Sequence, residues 1–247
     1  MTLNRRQILE WGGYAFVAWG AGAMLAPSAA WALEWSDWIG KRHQGGSAQV
    51  IGLKGQAQAQ ADQKPLQLGS KVVNGQEIVV NAGGEALLLL PDGASFKLSG
   101  PARLVLEVDA QGGGNLKLLL GGLLGVIPQL KNRAYLVKSS NATLGIKGTV
   151  FYKEVFGPQG SDDPRVQPGA LAYFCICNGS LAVLPQGQSQ PLLQDQAEHH
   201  HAHLVMPQKN GIELVPAAFV KGHDDPGINQ VIESNPGFKH NRSWLQL

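Results

Sequence analysis

The chain is short of charge, of cysteine and of helical pattern, and each shortage narrows what it can be. Asp, Glu, Lys and Arg together make up only 15% of its 247 residues, and the net charge is +2. Basic residues are scattered, with no run of five or more, so the electrostatic footprint of a nucleic-acid-binding protein is missing. Only two cysteines are present, Cys175 and Cys177, too few for a disulfide framework in a chain of this length. No Cys-x2-Cys-His occurs, which argues against covalently attached haem. The chain has no nucleophile elbow and no carboxylate pair in a convincing setting, and Gly112-Gly113-Gly114 lacks the helix that a phosphate site needs. No catalytic residue is assigned. No helical period longer than two turns appears before residue 190.

Glycine, by contrast, is abundant at 32 residues, and 44% of the chain is apolar. Many glycines with short apolar runs favour an all-β architecture. Strand signals recur at short intervals, in Ala48–Leu53, Gln56–Gln60, Leu66–Ser70, Val72–Val80, Glu85–Leu90, Ser95–Leu98, Arg103–Val108, Leu116–Ile127 and Ala134–Lys138. Asn74-Gly75 and Pro91-Asp92-Gly93 punctuate them as turns. The spacing predicts a β-sandwich or wound β-roll of many short strands. The most patterned stretch is Ala142–Tyr152. Leu144 and Ile146 alternate with small or polar residues, Gly148 interrupts, and Thr149-Val150-Phe151-Tyr152 resumes. A glycine inside a strand pattern marks a bulge or a close backbone approach, so two strand halves with a break at Gly148 are expected.

Residues 1–32 read as an export signal. Asn4-Arg5-Arg6-Gln7-Ile8-Leu9 has the twin-arginine pattern, an uncharged stretch runs from Trp11 to Leu33, and Ala30-Trp31-Ala32 offers a small-x-small cleavage site. The alternative is an uncleaved anchor, since 23 uncharged residues could cross a bilayer. Either way the remainder is expected outside the cytoplasm, in a bacterial periplasm or otherwise exported, with no stable membrane span after cleavage. Residues 33–45 form a linker, in which Trp35 and Trp38 read as part of a surface tether.

The motifs Gly69–Ile78, Leu88–Leu98, Leu116–Val126 and Leu144–Phe151, in that order, make residues 46–156 resemble a FecR-type periplasmic domain. The resemblance implies a β-rich domain used for sensing or protein contact, with a periplasmic or membrane protein as partner. FecR-type transducers also carry a cytoplasmic segment that meets a sigma factor. Only ten residues precede the apolar run here, so signalling to a sigma factor is not expected.

Gly157–Gly169, with three prolines and Asp162-Asp163, reads as a loop, and a module at 170–234 is expected beyond it. Leu171–Cys177 has a strand pattern, Asn178-Gly179 a hairpin-turn pattern, and Ser180–Leu184 reads as the returning strand. Period two puts Tyr173, Cys175 and Cys177 on one face and Ala172, Phe174 and Ile176 on the other. Two thiols two residues apart on one face can reach one metal ion. A disulfide between them would be strained, since two strand rises span ~6.5 Å, near the limit for bridged Cα atoms. Five of the seven histidines fall at residues 199–223, in Glu198-His199-His200-His201-Ala202-His203 and in His223-Asp224-Asp225. Thiolate with imidazole is the donor set of tetrahedral zinc, and also of copper and some iron–sulfur sites.

Some exported FecR-domain proteins are similar beyond the domain, with Cys-x-Cys-x-Gly, a His-His pair and a His-x-Asp before a short helix. That resemblance implies Cys175, Cys177, His200, His201 and His223 as metal ligands, Asp225 as a residue orienting a ligand histidine, and a helix carrying Ile228 and Val231. Pro226-Gly227 is an unfavourable pair at its start. The tail, 235–247, carries no pattern. The function expected is an exported binding or sensing module with a Cys/His metal site, zinc first and copper or an iron–sulfur cluster as alternatives. The competing readings are a metal-dependent periplasmic enzyme and a metal-free envelope structural protein.

Overall fold

A computed structural model describes residues 43–55, 59–129, 134–188 and 190–235. The stretch read as an export signal, most of the expected linker with Trp35 and Trp38, and the residues beyond Asn235 lie outside the described residues. No described helix is long and apolar enough to cross a membrane.

The described residues form a single mixed sheet that winds over itself into two layers. Four long strands run through both: β7 (Ser95–Val108), β8 (Gly114–Val126), β10 (Ala142–Val155) and β11 (Ala172–Pro185). Each changes neighbours part-way along. In one layer the order is β4 (Lys71–Val73), β1 (Ser47–Lys54), β6 (Glu85–Leu89), the start of β7, the end of β8, the end of β10, the start of β11, β13 (His201–Gln208) and β14 (Gly211–Ala217). In the other it is β3 (Lys64–Pro65), β2 (Ala59–Ala61), β5 (Glu77–Val80), the end of β7, the start of β8, β9 (Tyr135–Lys138), the start of β10, the end of β11 and β12 (Leu193–Ala197). The pairing of β8 with β9 is parallel; the others are antiparallel. The main core lies between the layers, with Leu88, Phe96, Leu104, Leu144, Phe151 and Phe174 among its buried residues. This is the wound β-roll expected from the strand spacing.

The bends fall where the sequence breaks pattern. The β7–β8 register shifts between Ser99 and Arg103, and the β10–β11 register shifts between Lys147 and Val150. Gly148 sits at φ +56 and its partner corner Gly179 at φ +100. A Cβ on Gly179 would lie 2.7 Å from the Gly148 carbonyl oxygen, so the two chains can cross only without a side chain there. The buried Thr149 clasps the corner: its hydroxyl reaches Ser180 O at 2.6 Å, and Ser180 N–H donates back to it at 3.3 Å.

This corner corrects one expectation. Asn178-Gly179 is not a hairpin turn, and the cysteines do not lie on a separate hairpin. β11 continues through the pair as one fourteen-residue strand beside β10. A type I′ turn needs positive φ at both central residues. Here Gly179 has it and Asn178 does not, and the Asn178 side chain is spent on Glu198 O at 3.1 Å. Leu66–Ser70 also departs from the strand expected. It is a turn closed by Ser70 N–H to Gln67 O and held by Gly69 at φ +81.

Two buried features tie the layers to each other and the helix to the sheet. Lys153, 1% exposed, is the register partner of Phe174 and Leu123 and so points into the core. Its amine donates to Val137 O at 3.1 Å and Ala142 O at 2.8 Å, both in the opposite layer. Burial pulls its pKa down to about 7. The helix α1 (Asp225–Ser234) packs on the outer face of the first layer through Ile228, Val231 and Ile232. A ten-residue helix is marginal alone, and three buried aliphatic side chains at roughly 1.5–3 kcal/mol each are what hold it. Asp224 caps its start by accepting from Gly227 N–H at 2.8 Å, and Pro226 is tolerated because an N–H at its first-turn position would have no acceptor within the helix. At its end the Asn235 amide donates to Gly93 O and Ser95 Oγ, both at 2.6 Å.

Candidate metal centre

The alternation read from the sequence holds along β11. Ala172, Phe174 and Ile176 enter the core between the layers, while Tyr173, Cys175 and Cys177 face α1 in a second apolar cluster. Both cysteines are fully buried and unbridged. Two loops bring imidazoles to them. Glu198–His200 leads into β13, and residues 218–224 lead into α1.

His200 arrives with its backbone at φ +30, an uncommon conformation for a residue with a side chain, and is mostly buried. Its Nδ1 lies 3.6 Å from Cys175 Sγ, and its Nε2 lies 2.8 Å from Asp225 Oδ1. His223 comes from the other side. Its Nδ1 donates to Lys221 O at 2.8 Å, which fixes the tautomer and leaves Nε2 as a lone-pair donor. That Nε2 is buried and has no hydrogen-bond partner. The ring stacks on Tyr152 with centroids 4.7 Å apart and 20° between planes. The loop can approach this closely only because residue 222 is glycine: it sits at φ +74, and a Cβ there would come within 2.1 Å of the Tyr152 hydroxyl. Lys221 anchors the loop with two contacts of 2.7 Å to the Glu154 carboxylate.

One donor atom each from Cys175, Cys177, His200 and His223 therefore lies within 4.8 Å of every other. A tetrahedral zinc ion, with bonds of about 2.3 Å to sulfur and about 2.0 Å to nitrogen, sets its ligand atoms roughly 3.3–3.8 Å apart. Small side-chain adjustments would bring the four to that spacing.

The electrostatics are those of a ligand set poised for a cation. A hydrogen bond from Cys177 is the main reason the Cys175 thiol is pulled down to about 4, against burial and with help from His223 and His200. Burial, and then the neighbouring Cys175, push Cys177 well up. Burial disfavours charge on His200, but its contacts with Cys175 and Asp225 outweigh this and raise it. Hydrogen bonds from His200 and His199 hold Asp225 below the usual carboxylate range. Asp225 therefore lies on the outer nitrogen of the His200 ring, the one turned away from Cys175.

His201 does not join this group. As the register partner of Ile176 it points to the opposite face of β13, where its Nδ1 meets Asp195 Oδ2 at 2.6 Å. His199 stays exposed, 3.2 Å from Asp225. Sequence reasoning missed Tyr152 as the ring beneath His223 and Lys221 as the carbonyl that sets its tautomer. Neither role has a local signature, because both depend on where the 218–224 loop lands.

No protein-family model matches the chain, and no curated protein matches it. Among solved structures, two of a candidate anti-sigma factor from Parabacteroides distasonis, at 1.65 and 2.50 Å resolution, are similar at 16% identity with a TM-score of 0.44. Each match covers 57% of this chain and 58% of that one, so the likeness spans a little over half of either protein.

Proposed function

We propose that this protein is an exported binding or sensing module of FecR type. In this reading residues 46–156 form the contact domain and 170–234 carry a Cys2His2 metal centre, with zinc as the ion. The observation that carries the metal assignment is the convergence of Cys175, Cys177, His200 and His223 around the unpartnered His223 Nε2. A set of four protein ligands leaves no open coordination position, which favours a structural ion over a catalytic one. The ion would cross-link β11 to two loops, the one before β13 and the one before α1, and so fix the outer face formed by α1. Contact with a periplasmic or membrane protein is the corresponding mode of action, and the twin-arginine pattern at Arg5-Arg6 supports export.

The test is elemental analysis of the protein purified from its native compartment. One equivalent of zinc is expected in the wild type and none in Cys175→Ser/Cys177→Ser. Cobalt substitution should give a thiolate charge-transfer band that the double variant lacks. Metal-free native protein, or metal at this site retained without the cysteines, would overturn the assignment.

A further inference from the structure

The alternation that aims Cys175 and Cys177 at α1 aims two histidines of β13 the other way. His201 pairs with Ile176 and His203 with Phe174, both of which face the inner core. His203 is only 6% exposed, and its ring stacks on Phe174 at 5.1 Å and 15°. Its Nδ1 is buried with no hydrogen-bond partner. Buried polar atoms are nearly always satisfied, so this one needs a partner of its own.

The surroundings supply the rest of a ligand set. β12 and β13 lie along successive parts of the same neighbour, β12 beside Gly179–Val183 and β13 beside Ala172–Ile176. That brings Asp195 of β12 to the histidines. The His201 and His203 rings are 4.9 Å apart, and one carboxylate oxygen of Asp195 and one nitrogen from each ring all lie within 4.8 Å of one another.

The geometry points to a second metal site, in which Asp195, His201 and His203 bind a divalent first-row transition ion through two imidazoles and one carboxylate. It lies on the opposite face of β13 from the cysteines and shares no ligand with them. Two nitrogens and one oxygen, without thiolate, suit borderline ions such as zinc, cobalt, nickel or iron(II). Three protein ligands leave further positions to water. The His201 side chain is half exposed, so the ion can exchange with solvent.

Cobalt(II) titration of the whole exported protein separates the two sites, because only the cysteine centre gives a thiolate charge-transfer band. Two equivalents are expected in the wild type. His201→Gln and Asp195→Asn should each lose one equivalent and keep the full thiolate band. Cys175→Ser/Cys177→Ser should lose the band and keep one equivalent, and zinc should displace it. His203→Phe tests the buried ligand where circular dichroism shows a native fold, and His201→Gln carries the test where it does not. A single equivalent in the wild type that is unchanged in His201→Gln would overturn the site. So would a second equivalent that is lost in His199→Gln but retained in His201→Gln, since His199 and Asp225 offer a competing surface group. If the cysteine centre fails instead, the band is absent everywhere while the His201-dependent equivalent remains.

Discussion

Lys153 gives the most direct physical test of the fold. Its amine is buried between the layers, with two carbonyl oxygens in place of water, and its pKa falls from 10.5 to about 7. An unfolded lysine keeps its ordinary value. Between about pH 7 and 10.5 the unfolded chain therefore holds a proton that the folded chain has released. Stability should rise with pH across that window, and below it the charged buried amine exerts its full destabilising effect. At about 1.36 kcal/mol per pKa unit the whole effect is about 5 kcal/mol, spread over the window at no more than about 1.36 kcal/mol per pH unit. The cysteines and tyrosines titrate nearby, so the measurement is a difference. Urea unfolding of the wild type and Lys153→Met is followed at several pH values between 6 and 10. The stability gap should shift in favour of the wild type by several kcal/mol from the acid to the alkaline end. Parallel curves for the two proteins would refute the assignment of a buried, proton-releasing lysine.

The remaining predictions concern the metal centre. Zinc at a hundredfold excess over its dissociation constant should stabilise the protein by about 2.7 kcal/mol, or about 5–11 °C in Tm for a domain of this size. Cys175→Ser/Cys177→Ser should show no such shift in a thermal melt, and an unchanged wild-type Tm would count against a structural ion. Asp225→Asn should weaken zinc binding about 10–100-fold without changing its stoichiometry, as read by competition with a chromophoric chelator. Gly222→Ala forces a side chain into a positive-φ site against Tyr152. It should cost at least about 1–2 kcal/mol and displace His223, so both Tm and zinc affinity should fall together.

Period two along Leu171–Cys177 was sufficient to place both cysteines on one face, because successive side chains of a strand point to opposite faces. The break at Gly148 was equally legible. Asn178-Gly179 misled because the same dipeptide serves a hairpin and a bend, and only the pairing of Ser180–Pro185 with the first half of β10 decides between them. The run His199–His203 could not reveal which imidazole meets the thiols. That depends on β13 starting at His201 in register with Ile176, a contact between residues 25 apart in sequence. The Asp195–His203 group was invisible for the same reason: β12 and β13 are neighbours only through β11.

Since β7, β8, β10 and β11 each belong to both layers, neither layer can form while the other is open. Their amides should exchange with solvent only when the whole roll unfolds. Both cysteines lie on β11, buried beside β10, whereas His200 and His223 sit on connecting loops. The candidate centre therefore joins two sulfurs carried by the sheet to two imidazoles carried by loops, so an ion held by all four would tie those loops to the roll.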